Sequence, residues 1–310
     1  MNVLEVRNLS VGFITDHGDV KAVNDASFSI KEGETFGIIG ESGSGKSVIG
    51  QSIMRLLPSN ASVSGELTFE EKDLFSHDAG QMRQIRGKQI SLIPQNPAGS
   101  LNPLLKNGIQ ISEVFEIIGV GKREGMKLVT DMMGKLLLKN PEKLLRLYPH
   151  ELSGGMKQRL LATMCLSYKP KLVIADEPTK GLDSGARAGS LDLFRHMKDD
   201  HGYSMLLITH DLDFALEICD RVAVMYAGEI VEIGSASKVL HNPSHPYTKG
   251  LLKALPRNGL IPLEGQTPSR IDLPPGCLFS RRCGHSSDRC HAERPDIRDF
   301  NGGTVRCHLY

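Results

Sequence analysis

No stretch of the sequence approaches the roughly 18 consecutive apolar residues that a membrane-spanning helix needs. The opening segment, MNVLEVRNLSVGF, lacks a basic start, an apolar run and a small-residue cleavage site, so it does not read as a secretory signal. An excess of one charge is missing as well. Lys and Arg total 37 against 36 Asp and Glu, a formal net charge of +1, which argues against a protein built to coat nucleic acid. Internal repeats and low-complexity tracts are absent. Charged residues make up 24% and hydrophobic ones 40% of 310 positions, an ordinary globular composition with chain enough for one large domain or two modest ones.

Cysteines are few and unevenly spread. Cys165 and Cys219 stand alone in apolar surroundings and read as small core residues, whereas Cys277, Cys283, Cys290 and Cys307 crowd the last 34 positions. Without an export signal the chain is expected in a reducing compartment, where structural disulfides are rare, so the terminal quartet reads as metal or cluster ligands. Its spacers of 5, 6 and 16 residues contain no C-x2-C knuckle of a zinc ribbon. Four thiolates suit a [4Fe–4S] cluster. Zinc, with His285, His291 and His308 as spare ligands, and four unligated thiols are the alternatives.

Alternating polarity over residues 3–6 and 26–30 predicts an opening antiparallel sheet. Short apolar runs over 34–40, 90–93, 172–175 and 205–208 read as buried strands, several followed by polar residues at their carboxyl ends. A helix is predicted from Lys46 to the stop at Pro58, and another from Met156 to about Ser167. Between residues 112 and 147, Met126, Val129, Met132, Met133 and Leu136 recur at helical spacing, which predicts an inserted helical lobe whose methionines fill its core. Five prolines in residues 256–276 predict an extended connector to the cysteine-rich tail. Strands alternating with helices make the fold class α/β, with the site at the carboxyl ends of the strands.

Residues 40–47, GESGSGKS, satisfy the GxxxxGK[ST] phosphate-loop (Walker A) pattern between a predicted strand and a predicted helix. Glycines let the loop wrap a polyphosphate, amides at the helix start bind it, Lys46 neutralises the β- and γ-phosphates, and Ser47 reaches Mg²⁺. A chance strand–helix turn is the bland alternative. The apolar run ending in Asp176-Glu177 can hold Mg²⁺ through Asp176 and orient an attacking water through Glu177. Leu152-Ser153-Gly154-Gly155-Met156 precedes a helix and offers another N-terminus suited to an anion, or a plain N-cap.

Ser153-Gly154-Gly155 resembles the signature of ATP-binding cassette (ABC) ATPases. Gln95, Gly181-Leu182-Asp183, His210 and Phe13 stand where that family has its Q-loop glutamine, D-loop, switch histidine and adenine-stacking aromatic. Residues 148–156 (YPHELSGGM), 245–248 (HPYT) with Leu251-Leu252, and Gly276-Cys277 with the cysteine tail are similar to the oligopeptide/dipeptide/nickel importer branch, a likeness covering essentially the whole chain. Lys180, where the family has Thr or Ser, and the Gly/Ala-rich stretch 184–190 depart from it.

The resemblance implies an ABC-type P-loop nucleotide-binding domain over 1–255: a RecA-like core, an antiparallel edge sheet and a helical subdomain at about 96–165. A small cysteine-rich C-terminal extension would follow over 256–310. It also implies ATP contacted by Phe13, Gly40, Glu41, Ser42, Gly43, Ser44, Gly45, Lys46, Ser47, Val48, Gln95, Asp176 and His210, and by Ser153, Gly154, Gly155 and Asp183. Lys46, Gln95, Glu177 and His210 are the expected catalytic groups, Ser47, Gln95 and Asp176 the Mg²⁺ set, and the four cysteines the [4Fe–4S] set. Expected partners are a second, different ABC ATPase, two transmembrane permeases and an extracytoplasmic substrate-binding protein, with the chain peripheral at the cytoplasmic face of the membrane. Peptides are the expected cargo; nickel, a metal chelate, or a soluble non-transport ABC ATPase are the alternatives. A small-molecule kinase would leave the signature, Gln95 and His210 without a role.

Overall fold

The computed structural model describes residues 1–95, 97–117, 120–199 and 202–310. Strands β1 (Asn2–Thr15), β2 (Gly18–Lys31), β3 (Thr35–Ile39), β4 (Ala61–Phe69), β5 (Lys72–Asp73) and β6 (Ile90–Ile93) come first along the chain. They are followed by β7 (Leu172–Asp176), β8 (Ser204–Thr209), β9 (Arg221–Tyr226), β10 (Glu229–Ser235), β11 (Ile297–Phe300) and β12 (Gly303–Arg306). Residues 1–78 with 206–310 form one compact unit, and residues 79–205 form a second.

In the first unit β1 and β2 run antiparallel, and β4 and β5 extend the sheet in the order β2-β1-β4-β5. The alternation over 26–30 is a burial pattern: Ala26, Phe28 and Ile30 face the core, and Ser27 and Ser29 lie half-buried between them. The other sheet of this unit runs β11-β12-β10-β9-β3-β8, with β3 parallel to β9. All five residues of β3 and all six of β8 are buried. Burial on both faces is why these strands read as unbroken apolar runs.

Residues 256–310 also belong to the first unit, so the expected boundary at 255/256 does not coincide with the division into compact units. β12 pairs with β10 (Glu232↔Val305, Ile233↔Thr304), and β11 closes a hairpin on it. The proline-rich stretch is tied to β2: the Lys21 amide donates to the Arg270 carbonyl, and Arg270 Nη1 donates to the Ala22 carbonyl. Ion pairs Arg306–Asp25 (3.1 Å) and Arg294–Glu229 (2.9 Å) add further ties. The connector opens with a short helical turn at Pro256–Asn258, and although most of its residues are exposed it is tied to β2 at Arg270.

In the second unit β6 and β7 pair in parallel, Ile90↔Leu172 to Ile93↔Ala175. Helices Asn107–Ile117, Lys122–Lys135 and Pro141–Arg146 occupy the predicted helical lobe, and no strand lies among its described residues. The expected start of that lobe, residue 96, lies outside the described residues. Ile111, Phe115, Val129, Met133, Leu144 and Leu160 form its core, with Met126, Met156 and Met164 packed against them, so the methionine stripe is core filling.

Helix limits shift slightly from the sequence reading. The helix opening at Lys46 ends at Ile53, five residues before Pro58, because Arg55 adopts a left-handed φ of 48° and its guanidinium donates to the Leu74 and His77 carbonyls. The helix expected from Met156 starts at Gly154, N-capped by Ser153, and ends at Leu166.

Candidate functional site

The GESGSGKS loop joins the buried β3 to the helix Lys46–Ile53. Gly40 (φ +151°) and Gly45 (φ +105°) sit where no other residue fits: a Cβ at Gly40 would lie 2.2 Å from the Met225 carbonyl oxygen, and one at Gly45 2.3 Å from that of Ala22. Glycine at these positions lets β9 and β2 press directly against the loop. Lys46 is only 4% exposed, and its Nζ donates to the carbonyls of Gly40 (2.8 Å) and Glu41 (2.9 Å). Its charge is thus carried almost out of water and held at the loop's concave backbone. The Ser44 hydroxyl is buried with no hydrogen-bond partner among the described residues, a cost that structures tolerate chiefly at functional sites. Ser42 and Gly43 are exposed at the loop tip, and Ser47 and Val48 are half-buried in the first helical turn. Glycine torsions, amides at a helix start and a desolvated ammonium together can take a polyphosphate.

The same unit carries two more expected site residues. Phe13 is half-buried on β1, paired with Val20 and Ala61. His210 is exposed immediately after β8, between Thr209, whose hydroxyl accepts from the Asp211 amide, and Asp211, which N-caps the helix Leu212–Ile218.

The second unit holds the remainder. Asp176, half-buried, closes β7. Glu177, 6% exposed, follows in a left-handed conformation (φ 49°), and strain of this kind in a non-glycine residue concentrates at functional sites. Gln95 is exposed two residues after β6. Ser153 accepts from the Met156 amide at 3.3 Å, so the plain N-cap reading of its hydroxyl holds, while Gly154 and Gly155 supply first-turn amides without side chains. Asp183 is likewise a cap: its Oδ1 accepts from the Ala186 amide at the start of the helix Ser184–Asp199. Lys180 is exposed, and the Gly/Ala-rich stretch is ordinary helix.

One residue of this unit had no place in the sequence reading. Gln158, 1% exposed, donates through Nε2 to the Pro178 carbonyl (2.8 Å) and the Ser190 hydroxyl (3.0 Å). It ties the helix after Ser153 to the chain just beyond Glu177 and to the helix after Asp183. A lone glutamine on an otherwise apolar helix face is its only trace in the sequence.

In the tail, Cys277, Cys283, Cys290 and Cys307 line one small cavity together with His285 and His308. Burial pushes the Cys277 thiol up to about 11, with the neighbouring thiols adding to the rise, and it raises Cys283 and Cys307 too. His245 borders the cavity but is otherwise occupied: Nδ1 accepts from the Tyr247 amide, and burial pulls its imidazole down to about 3, keeping it neutral. Among the described residues no group of three or more His, Cys, Asp or Glu side chains is preformed as a metal site. Cys165 and Cys219 are apart from this group. Cys219 is buried, and the Cys165 thiol, pushed up to about 12 by burial, donates to the Leu92 carbonyl. Cys219 is the core residue expected, whereas Cys165 is half-buried.

Comparison with known proteins gives the geometry its family. The model of the ABC transporter family matches residues 23–180. The oligopeptide transport ATP-binding protein OppD of Haemophilus influenzae is 41% identical over 98% of this chain and 96% of that protein. The chain belongs to the ABC transporter ATPases. It is an ATP-hydrolysing enzyme of the α/β cassette fold. A second family model, the oligopeptide/dipeptide transporter C-terminal region, matches residues 231–290 of this ATPase, and the dipeptide transport ATP-binding protein DppD of Bacillus subtilis is 43% identical over 99% of its chain and 94% of the relative. Among solved structures, cbiO1 of Clostridium perfringens, part of an ABC transporter complex, superposes with a TM-score of 0.66 at 26% identity, covering 78% of this chain and 91% of that one. The ATP-binding cassette MJ0796, solved as a dimer with ADP and phosphate, shares the fold, with a TM-score of 0.65 at 24% identity over 75% of this chain and 98% of that one.

Two of the three loop glycines, Gly43 and Gly45, make a graded test of this ATPase's phosphate loop. Gly45→Ala meets both a left-handed φ and the Ala22 carbonyl, whereas Gly43→Ala (φ +77°) has no heavy atom within 4 Å of the new Cβ. Gly43→Ala is expected to lower stability by about 1–2 kcal/mol and Gly45→Ala by clearly more, about 3 kcal/mol or above. Urea midpoints followed by circular dichroism check the order; equal midpoints would show that the loop is not pressed against Ala22.

Proposed function

We propose that this ATPase is the motor subunit of a peptide importer. The choice of peptide over nickel or a metal chelate is carried by the likeness of residues 231–290 to the oligopeptide/dipeptide transporter C-terminal region, with relatives named for oligopeptide and dipeptide transport. Among the described residues no helix is long and apolar enough to cross a membrane. The chain would therefore work peripherally, at the cytoplasmic face, on two permease subunits fed by an extracytoplasmic substrate-binding protein. A second, different ABC ATPase would complete the pair.

The desolvated Lys46 supports its role on the β- and γ-phosphates, with the loop amides between residues 40 and 48 that do not donate within the protein wrapping the remaining oxygens; the Glu41 amide is taken by the Tyr247 hydroxyl. Ser47, Gln95 and Asp176 would share Mg²⁺, which neutralises phosphate charge when bound. Phe13 would stack on adenine. In hydrolysis, water attacks the γ-phosphorus, its proton passes to the Glu177 carboxylate, and the bond to the departing ADP oxygen breaks; His210 would hold the γ-phosphate oxygens. Ser153, Gly154, Gly155 and Asp183 would face the nucleotide of the partner ATPase, joining ATP binding to closure of the pair.

The tail is the proposed holder of a [4Fe–4S] cluster, with zinc as the alternative. Four thiols on one cavity are the donor set that such a cluster takes, and their raised pKa values mean that binding would release protons. The cluster would have a structural role; no step of hydrolysis involves it.

Glu177→Gln keeps the shape of the side chain and removes its basicity. ATP should bind with affinity near that of the wild type, while turnover in the assembled transporter falls about a hundredfold or more. Normal turnover would remove Glu177 from this role. For the tail, protein prepared without oxygen is expected to be brown and to hold about four irons per chain, lost on Cys290→Ser. Stoichiometric zinc without iron would replace the cluster by a zinc clip, and neither metal would leave four plain thiols.

A further inference from the structure

Glu41, the second residue of the phosphate loop, is gripped by the C-terminal segment at more than one point. Arg282 makes a two-pronged ion pair with it, Nη1 to Oε2 at 3.1 Å and Nη2 to Oε1 at 3.2 Å. The guanidinium is nearly buried, its side chain 5% exposed, and the rest of its fork is spoken for: Nε donates to the Glu264 carbonyl (2.9 Å) and Nη2 also to that of Leu263 (3.3 Å). The rings of Tyr226 and Phe279 lie 5.6 and 5.9 Å from its central carbon. An arginine so enclosed has one rotamer, so it presents a fixed edge to the carboxylate. The Thr267 hydroxyl adds a donor to Glu41 Oε2 at 3.3 Å.

The backbone of Glu41 is held too. Its amide donates to the hydroxyl of Tyr247 at 3.0 Å, and Tyr247 is fully buried against Tyr226 and Phe279. Tyr247 in turn is placed by a chain of contacts that starts in the central sheet. The buried Glu232 carboxylate on β10 accepts from the amides of Ser244 (2.6 Å) and His245 (3.0 Å), and His245 Nδ1 accepts from the Tyr247 amide (3.0 Å). This gives the HPYT segment a physical purpose: it turns a sheet carboxylate into a fixed phenol at the phosphate loop.

We infer that Arg282 and Tyr247 are positioning residues for nucleotide binding, clamping the phosphate loop through Glu41 without touching the nucleotide. The inference rests on the phosphate-loop assignment. A loop with glycines at 40, 43 and 45 has more backbone freedom than its neighbours, and a bound polyphosphate needs its amides aimed together. Glu41 is the loop residue whose N–H, carbonyl and carboxylate are all engaged, by Tyr247, Lys46 and Arg282 respectively. Holding it from the tail removes part of the ordering cost before ATP arrives.

The test is ATP affinity of the purified full chain, by equilibrium titration with a fluorescent ATP analogue, beside its thermal midpoint. Arg282→Gln and Glu41→Gln are each expected to weaken binding by about tenfold, and the double variant by little more than either alone, because both remove one interaction. Arg282→Lys keeps the charge but not the fork and should fall between, and Tyr247→Phe should weaken binding independently of the Arg282 variants. In the assembled transporter the Arg282 and Tyr247 variants should raise the KM for ATP with kcat within about twofold of wild type. A merely structural clamp would lower the thermal midpoint and leave affinity and KM unchanged, and that result overturns the inference. Lys46→Ala separates the two levels: if it too binds ATP normally, the phosphate-loop reading fails, whereas if it loses binding and Arg282→Gln, Arg282→Lys and Tyr247→Phe do not, only the clamp fails. Should Arg282→Gln not fold, the Arg282→Lys and Tyr247→Phe affinities decide.

Discussion

A desolvated ammonium group is the constraint on which the phosphate loop depends. Lys46 brings a positive charge to 4% exposure, where an uncompensated ion is costly, and the protein answers with carbonyl oxygens of the loop itself. For Gly40 and Glu41 to turn those oxygens inward, the loop must pass so close to β9 and β2 that only glycine fits at 40 and 45. The buried, apolar β3 behind it supplies the rigid base. Positive charge held in concave, low-dielectric backbone is a standing preference for an anion.

The same logic organises the carboxyl-terminal residues. The chain beyond residue 255 contributes two strands, β11 and β12, to the larger sheet, ties Arg270 to β2, and sends Arg282 to the phosphate loop. These contacts are polar, so they fix direction more than they add stability. Residues 278–282 bridge two of the cavity-lining cysteines and also carry Phe279 and Arg282. The cysteine cavity and the loop clamp are therefore parts of one small aromatic and polar cluster.

Features written on contiguous residues were legible in the sequence. The GESGSGKS loop, the Asp176-Glu177 strand end and the helix after Ser153 each follow from a few neighbouring side chains, and β3 and β8 from runs buried on both faces. The helical lobe was legible through its 3.6-residue period. Contacts between distant charged residues were not: Arg282 and Glu41 are 241 positions apart, and a single ion pair leaves no periodic mark. Gln158 escaped for a similar reason, since its partners are a carbonyl and a hydroxyl on other elements. β11 and β12, at four residues each and with charged side chains, are too short for their pattern to rise above that of a loop.

ATP hydrolysis by this chain should drive peptide uptake. Reconstituting the chain in vesicles with the permeases, second ATPase and binding protein proposed for it, and measuring ATP turnover and peptide accumulation together, tests this coupling. Peptide-loaded binding protein should raise both, and replacing Lys46 by alanine should abolish both. Turnover indifferent to peptide, but raised by nickel or a metal chelate, would contradict it.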